Sequence, residues 1–188
     1  MEETLKSKLE RNIWITRKCR INASERLLKT AKFIEALNVW YSIVVIGLSL
    51  VSVITHDDSL SLISLICSMA LTVSLFYANA TGFRDRSAVL KQNYIDLQIL
   101  LDELMCTGEE SDVKIISKKY AELLKNSENH LQKDMDLLRK GLKRDDLLAM
   151  NRSERIGWYV SRVFEVIKRI FCVIWPVIAT LIYYICLR

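Results

Sequence analysis

The sequence predicts an all-α membrane protein, built from a two-helix transmembrane hairpin, a cytoplasmic antiparallel helical hairpin and a third, C-terminal transmembrane helix. Three observations predict it. Glycine occurs five times and proline once among 188 residues, too few turn-formers for a many-stranded sandwich or barrel. Hydrophobic residues make up 51% and charged residues 26%, and the two kinds lie in separate blocks. Two long uncharged runs adjoin each other with only His56-Asp57-Asp58-Ser59 between them.

The segment 1–37 holds nine Lys/Arg and five Asp/Glu and no glycine or proline. Its apolar residues recur at Leu5, Leu9, Ile13, Ala23, Leu27, Phe33 and Leu37, the spacing of a surface-lying or bundled helix. No cleavable signal sequence precedes the first apolar run, so that run is expected to be a retained anchor. Val39 to Thr55, with Asn38, gives about 27 Å of helix, just enough to cross a bilayer. Leu60 to Ala80 gives a second crossing. Helices joined by four residues must run antiparallel, with Trp40, Tyr41 and Tyr77 at the end away from the turn, in the headgroup layer.

Orientation follows from the flanks. Residues 1–37 carry nine Lys/Arg and residues 81–169 carry seventeen, whereas the turn carries two aspartates and neither basic type. Both long flanks therefore belong in the cytoplasm.

Residues 81–150 are expected to form the cytoplasmic hairpin. Phe83, Leu90, Tyr94, Leu97, Leu101 and Leu104 make a coiled-coil-type stripe with a gap at Ser87, on a helix continuing out of the second span with Gly82 as its weak point. CTGEESD at 106–112 breaks the pattern, and Ser111 or Asp112 caps a second helix carrying Ile116, Tyr120, Leu123, Leu131, Met135, Leu138 and Leu142 on one face. In the last segment, 151–188, Asn151 and Glu154 resemble a capping box. They open a basic amphipathic helix that leads into the uncharged run Ile170–Leu187. This run is expected to span, with a re-entrant or interfacial segment as the alternative.

No catalytic, cofactor or metal site is expected. His56 and His130 have no partner at a triad or ligand spacing, and Cys19, Cys67, Cys106, Cys172 and Cys186 lack metal-ligand spacing, as fits packing residues in a reducing compartment. The net charge of +5 suits an anionic leaflet, and no sequence-specific nucleic-acid binding is expected. Arg17, Arg20 and Arg26 are candidate phosphate or headgroup contacts, with a solvated helix face as the competing reading.

The spans carry the most informative pattern. Ser61, Ser64, Ser68, Thr72 and Asn79 fall within an arc of about 80° on the second span. Ser42 and Ser49, seven residues apart, share a face of the first, with Ser52 close by. These hydroxyls either pack helices together or, in an assembly of several copies, line a water-filled path. No ionisable residue lies mid-span, which argues against a proton-coupled carrier.

The segment Arg17-Lys18-Cys19-Arg20-Ile21-Asn22-Ala23-Ser24-Glu25-Arg26-Leu27, then Tyr41-Ser42, then Tyr120-Ala-Glu-Leu-Leu-Lys-Asn-Ser-Glu-Asn-His130 with Asp134, resembles the SLATT family, and most of all its subfamily five. These are SMODS- and SLOG-associating two-transmembrane effector domains of prokaryotic conflict systems, and the third apolar run departs from a two-span pattern. The resemblance implies an oligomeric pore-forming effector in antiviral defence. Its partners would be membrane lipid, further copies of itself and a cytoplasmic module such as a nucleotide-signal synthase, a nucleotide sensor or a reverse transcriptase. A non-conducting scaffold or sensor is the alternative.

Overall fold

The structure is a computed structural model that describes residues 4–106, 108, 110–142, 146 and 148–186. Among these residues there are six α-helices and no strand: α1 Leu5–Thr55, α2 Asp58–Thr81, α3 Phe83–Cys106, α4 Glu110–Lys125, α5 Gln132–Gly141 and α6 Arg152–Cys186. They form two compact units. One comprises Met1–Lys29 and Phe83–Arg155, the other Thr30–Gly82 and Ile156–Arg188. No linker separates the N-terminal segment from the first span, because α1 runs through both.

In the first unit the amphipathic stripes meet. Leu9 and Ile13 of α1 pack with Leu97, Leu100, Leu101 and Leu104 of α3 and with Val113 and Ile116 of α4. Each fully buried leucine contributes roughly 2 kcal/mol of apolar transfer. Further along, Ala23 and Leu27 pack on Leu90. The start of α1 thus faces the end of α3, so those two helices are antiparallel. The N-terminal part of α1 is bundled rather than surface-lying.

The gap at Ser87 has a partner. The Ser24 hydroxyl donates to the Ser87 carbonyl at 2.9 Å and the Ser87 hydroxyl donates to the Ser24 carbonyl at 2.8 Å. Both serines are buried, so a reciprocal polar lock sits where a larger side chain would hold α1 and α3 apart.

Gly82, the expected weak point, adopts the left-handed conformation at φ 56° and its N–H bonds the Asn79 carbonyl, so α2 closes there and α3 begins at the next residue. One expectation about the helices needs correction. The single helix expected to carry Ile116 through Leu142 is two helices, α4 and α5, with Asn126–Leu131 between them. Side chains from elsewhere end α4. The Leu123 carbonyl accepts from Arg20 Nη1 at 3.2 Å and from Asn93 Nδ2 at 2.9 Å. The expected break at 106–112 corresponds to the space between α3 and α4, and α4 starts at Glu110, one residue before the expected caps. Thr107 and Glu109 lie outside the described residues, as does Leu187 of the last apolar run. At the start of α6, Glu154 accepts from the Asn151 N–H at 2.9 Å, the glutamate half of the expected capping box.

In the second unit the hairpin turn is shorter than its four polar residues, since only His56 and Asp57 lie outside helix. His56 takes φ 51°, and the Asp57 N–H bonds back to the Ser52 carbonyl at 3.2 Å, the Schellman pattern of a helix C-terminus. Asp57 then caps α2, its Oδ1 accepting from the N–H groups of Ser59 and Leu60. Because a left-handed residue with a Cβ is strained, His56→Gly is expected to stabilise the hairpin by about 0.5–1 kcal/mol. A raised unfolding midpoint in detergent would register it.

Candidate functional site

Among the described residues three helices are long and apolar enough to cross a membrane, and they contribute the apolar stretches of α1, α2 and α6. From 170 to 186 helix α6 is unbroken despite Pro176, so among the described residues the chain makes no re-entrant turn there. Proline explains how α6 is seated. Lacking an N–H, Pro176 leaves the Cys172 carbonyl four residues earlier without its helical donor. The Tyr41 hydroxyl supplies that donor at 2.8 Å, and the Trp40 indole N–H donates to the adjacent Val173 carbonyl at 2.9 Å. At the other end the Tyr183 hydroxyl donates to Asp57 Oδ2 at 3.0 Å. With 172–173 against 40–41 and 183 against 57, the end of α6 runs parallel to the first span.

Trp40 and Tyr41, expected in the headgroup layer, thus both bond α6, Tyr41 through the carbonyl that the proline leaves without its donor. Tyr41→Phe should cost about 1–2 kcal/mol, since it orphans an acceptor in an apolar setting. The same change made beside Pro176→Ala should cost much less, because the alanine N–H takes back the Cys172 carbonyl. A double-mutant cycle on thermal unfolding in detergent measures the difference.

The hydroxyl face stands between the first two spans. Ser49, Ser61, Ser64 and Ser68 line one open groove of about 480 Å³ together with Val45, Leu62, Leu65 and Asp58. Four of the seven serine and threonine residues singled out in the spans therefore converge. Ser42 and Thr72 are exposed on their helices and are not among the groove's lining residues. Asp58, a lining carboxylate, and Ser52, buried and donating to the Asp57 carbonyl at 2.9 Å, complete the polar inventory at the turn end.

Most of these hydroxyls are already satisfied. Ser42, Ser49, Ser64, Ser68 and Thr72 each donate to a carbonyl three or four residues earlier in the same helix, at 2.7–3.0 Å. Such back-bonding uses the proton and leaves the oxygen as an acceptor.

Two of the three arginines singled out as phosphate contacts have partners inside the first unit. Arg20 is 1% exposed and holds the Leu123 carbonyl, and burial lowers its pKa. Arg26 makes a bidentate pair with Asp134, Nε to Oδ1 at 2.8 Å and Nη2 to Oδ2 at 3.0 Å. Arg17 is half-buried, on the same helix.

Asp134 is the hub of this region. Its Oδ2 also accepts the Leu131 N–H at 2.9 Å, starting α5, and its carbonyl accepts from Asn22 Nδ2 at 2.9 Å. Close by, burial pushes the Cys19 thiol up to about 11 and holds the His130 imidazole below its ordinary value, against the pull of Asp134. A thiol so placed packs and does not react at neutral pH. Nothing in the residues Arg17–Leu27 reveals these pairings in advance. The one signal was Asp134 itself, an acidic residue beside the apolar face of Leu131, Met135 and Leu138. Among the described residues no group of three His, Cys, Asp or Glu is gathered to hold a metal ion.

Three apolar helices, a hydroxyl-lined groove and a bundled, charged helical unit define a helical membrane protein. The chain belongs to the SMODS and SLOG-associating 2TM effector domain family 5, which matches residues 2–185, and is thus a membrane effector. The match includes α6, a third apolar helix beyond the two spans in the family description. No curated protein and no solved structure matches the chain.

Proposed function

We propose that the chain is an oligomeric pore-forming effector of a prokaryotic antiviral defence system, which permeabilises the inner membrane when a cytoplasmic partner triggers it. The observation that carries this reading is the groove, where Ser49, Ser61, Ser64 and Ser68 gather hydroxyls on spans that are otherwise largely apolar. Oxygen acceptors along one face suit water and ions once several copies bring such faces together. The helical unit of 1–29 and 83–155 lies in the cytoplasm by its excess of Lys/Arg and receives the signal from a nucleotide-signal synthase, a nucleotide sensor or a reverse transcriptase. Membrane lipid and further copies of the chain are its other partners.

Inducible expression with a potential-sensitive dye tests the proposal. Depolarisation on addition of the cognate trigger is expected, and sustained potential with trigger and inserted protein both present would sink it.

A second reading has its own observation. Because the stripe hydroxyls bond back to their own helix, the face also suits dry helix packing, as in a non-conducting scaffold or sensor. Under that reading purified protein binds its cytoplasmic partner and leaves dye-loaded liposomes sealed.

A further inference from the structure

Helix α3 is apolar on two opposite sides. Leu90, Leu97, Leu101 and Leu104 are buried in the first unit. At 100° per residue, Ala88, Gln92, Ile95, Ile99 and Cys106 fall in an arc of about 60° centred roughly opposite that buried face. From Ala88 to Ile99 their spacing runs four, three and four, the heptad period, and Cys106 lies one heptad beyond Ile99. Side chains on this outer face stand open: Ile95 is 38% exposed, Ile99 61%, and the flanking Val89 and Met105 52% and 56%. An isoleucine so exposed on a polar helix gains by being covered.

We propose that this outer face of α3 is the contact between copies of the chain, paired as parallel, in-register helices. The inference rests on the oligomeric reading above and names the surface that assembles it.

The charges at the edges select both the occupant and its direction. In the heptad that places Ala88 and Ile95 at d and Gln92 and Ile99 at a, Lys91 is a g residue and Asp96 is the e residue five positions on. That is the pair which meets across a parallel coiled coil, Lys91 of one copy against Asp96 of the next. An antiparallel pair would set Lys91 facing the g residues of its partner and lose the match. Copies inserted through the same spans share one orientation, which a parallel contact requires. Asp102 falls at the next d position and confines the apolar contact to the turns before it. So short a seam depends on the raised local concentration that a shared membrane provides.

The test uses full-length protein in membranes, in a Cys106→Ser background. Ala88→Cys places a thiol at a d position on an exposed, small side chain, and Lys118→Cys on the exposed surface of α4 is the control. Under mild oxidation Ala88→Cys should yield at least about fivefold more cross-linked dimer than Lys118→Cys. Adding Ile99→Lys should reduce it to the control level. Lys91→Glu should lower it severalfold, and Lys91→Glu with Asp96→Lys should restore it. Equal yields from Ala88→Cys and Lys118→Cys, or a yield indifferent to Ile99→Lys, would overturn the proposal. Depolarisation without this cross-linking leaves the pore reading standing and removes the interface. Cross-linking that survives Ile99→Lys in protein that never depolarises removes both.

Discussion

Asp134→Ala should melt the helical unit of 1–29 and 83–155 at a much lower temperature than wild type. Asp134 is 2% exposed and serves four donors on its side chain and carbonyl, two from Arg26, one from Leu131 and one from Asn22. Removing the carboxylate leaves the Arg26 guanidinium in a setting that is 25% exposed, where water recovers part of the lost interaction. Breaking a buried pair costs about 3–5 kcal/mol, and this exposure brings the expected loss to about 2–4 kcal/mol. Against the 5–15 kcal/mol typical of a domain, that is a large fraction. Asp134→Asn keeps an acceptor for Leu131 and should cost less. Circular dichroism melting in detergent reads the stability, and limited proteolysis reads release of Asn126–Leu131. If both variants melt with wild type, the hub is not a stabilising element.

The triple change Ser61→Leu, Ser64→Leu and Ser68→Leu should abolish trigger-dependent depolarisation while leaving membrane insertion intact. Leucine is more apolar than serine, so the span becomes a better membrane helix, and loss of insertion cannot account for loss of current. Three isobutyl groups would narrow the groove and replace its oxygen acceptors with surface that water does not wet. Dye depolarisation, with insertion verified by carbonate extraction, measures the result. Ser42→Leu, away from the groove's lining, should retain conductance. Full depolarisation by the triple variant would place the conducting path elsewhere.

How far the sequence alone reached differs between the two units. The hairpin, its short turn and the convergence of Ser61, Ser64 and Ser68 on one face were legible because hydropathy and a 100° repeat are local properties. Ser49 joined them across the hairpin because antiparallel helices with so short a turn must face each other. The first unit was less legible. The stripe through Leu90, Leu97, Leu101 and Leu104 was read correctly, yet Ser87 stood as a gap because its partner, Ser24, is 63 residues away in the chain. The periodicity of Ile116 through Leu142 ran on unbroken, since nothing in it records that Arg20 and Asn93 claim the Leu123 carbonyl.

The arginines followed the same logic. A run such as Arg17-Lys18-Cys19-Arg20 is readable as charge, and charge alone suits a headgroup, solvent or an internal acceptor equally. Only the approach of α4 and α5 to α1 decides that Arg20 is buried and that Arg26 meets Asp134.

By itself the sequence determined that the chain is all helix and crosses a membrane, that its first two spans form a hairpin, and which faces carry hydroxyls. These follow from the cost of placing charge and unbonded backbone in hydrocarbon, a cost each segment meets alone. The tertiary structure decided where α4 ends, what Arg20, Arg26, Ser24 and Ser87 bond to, and how Tyr41 and Trp40 seat the proline-containing helix α6. Those outcomes turn on which donor reaches which orphaned carbonyl, and that depends on helices distant in the chain coming within 3 Å or so of each other.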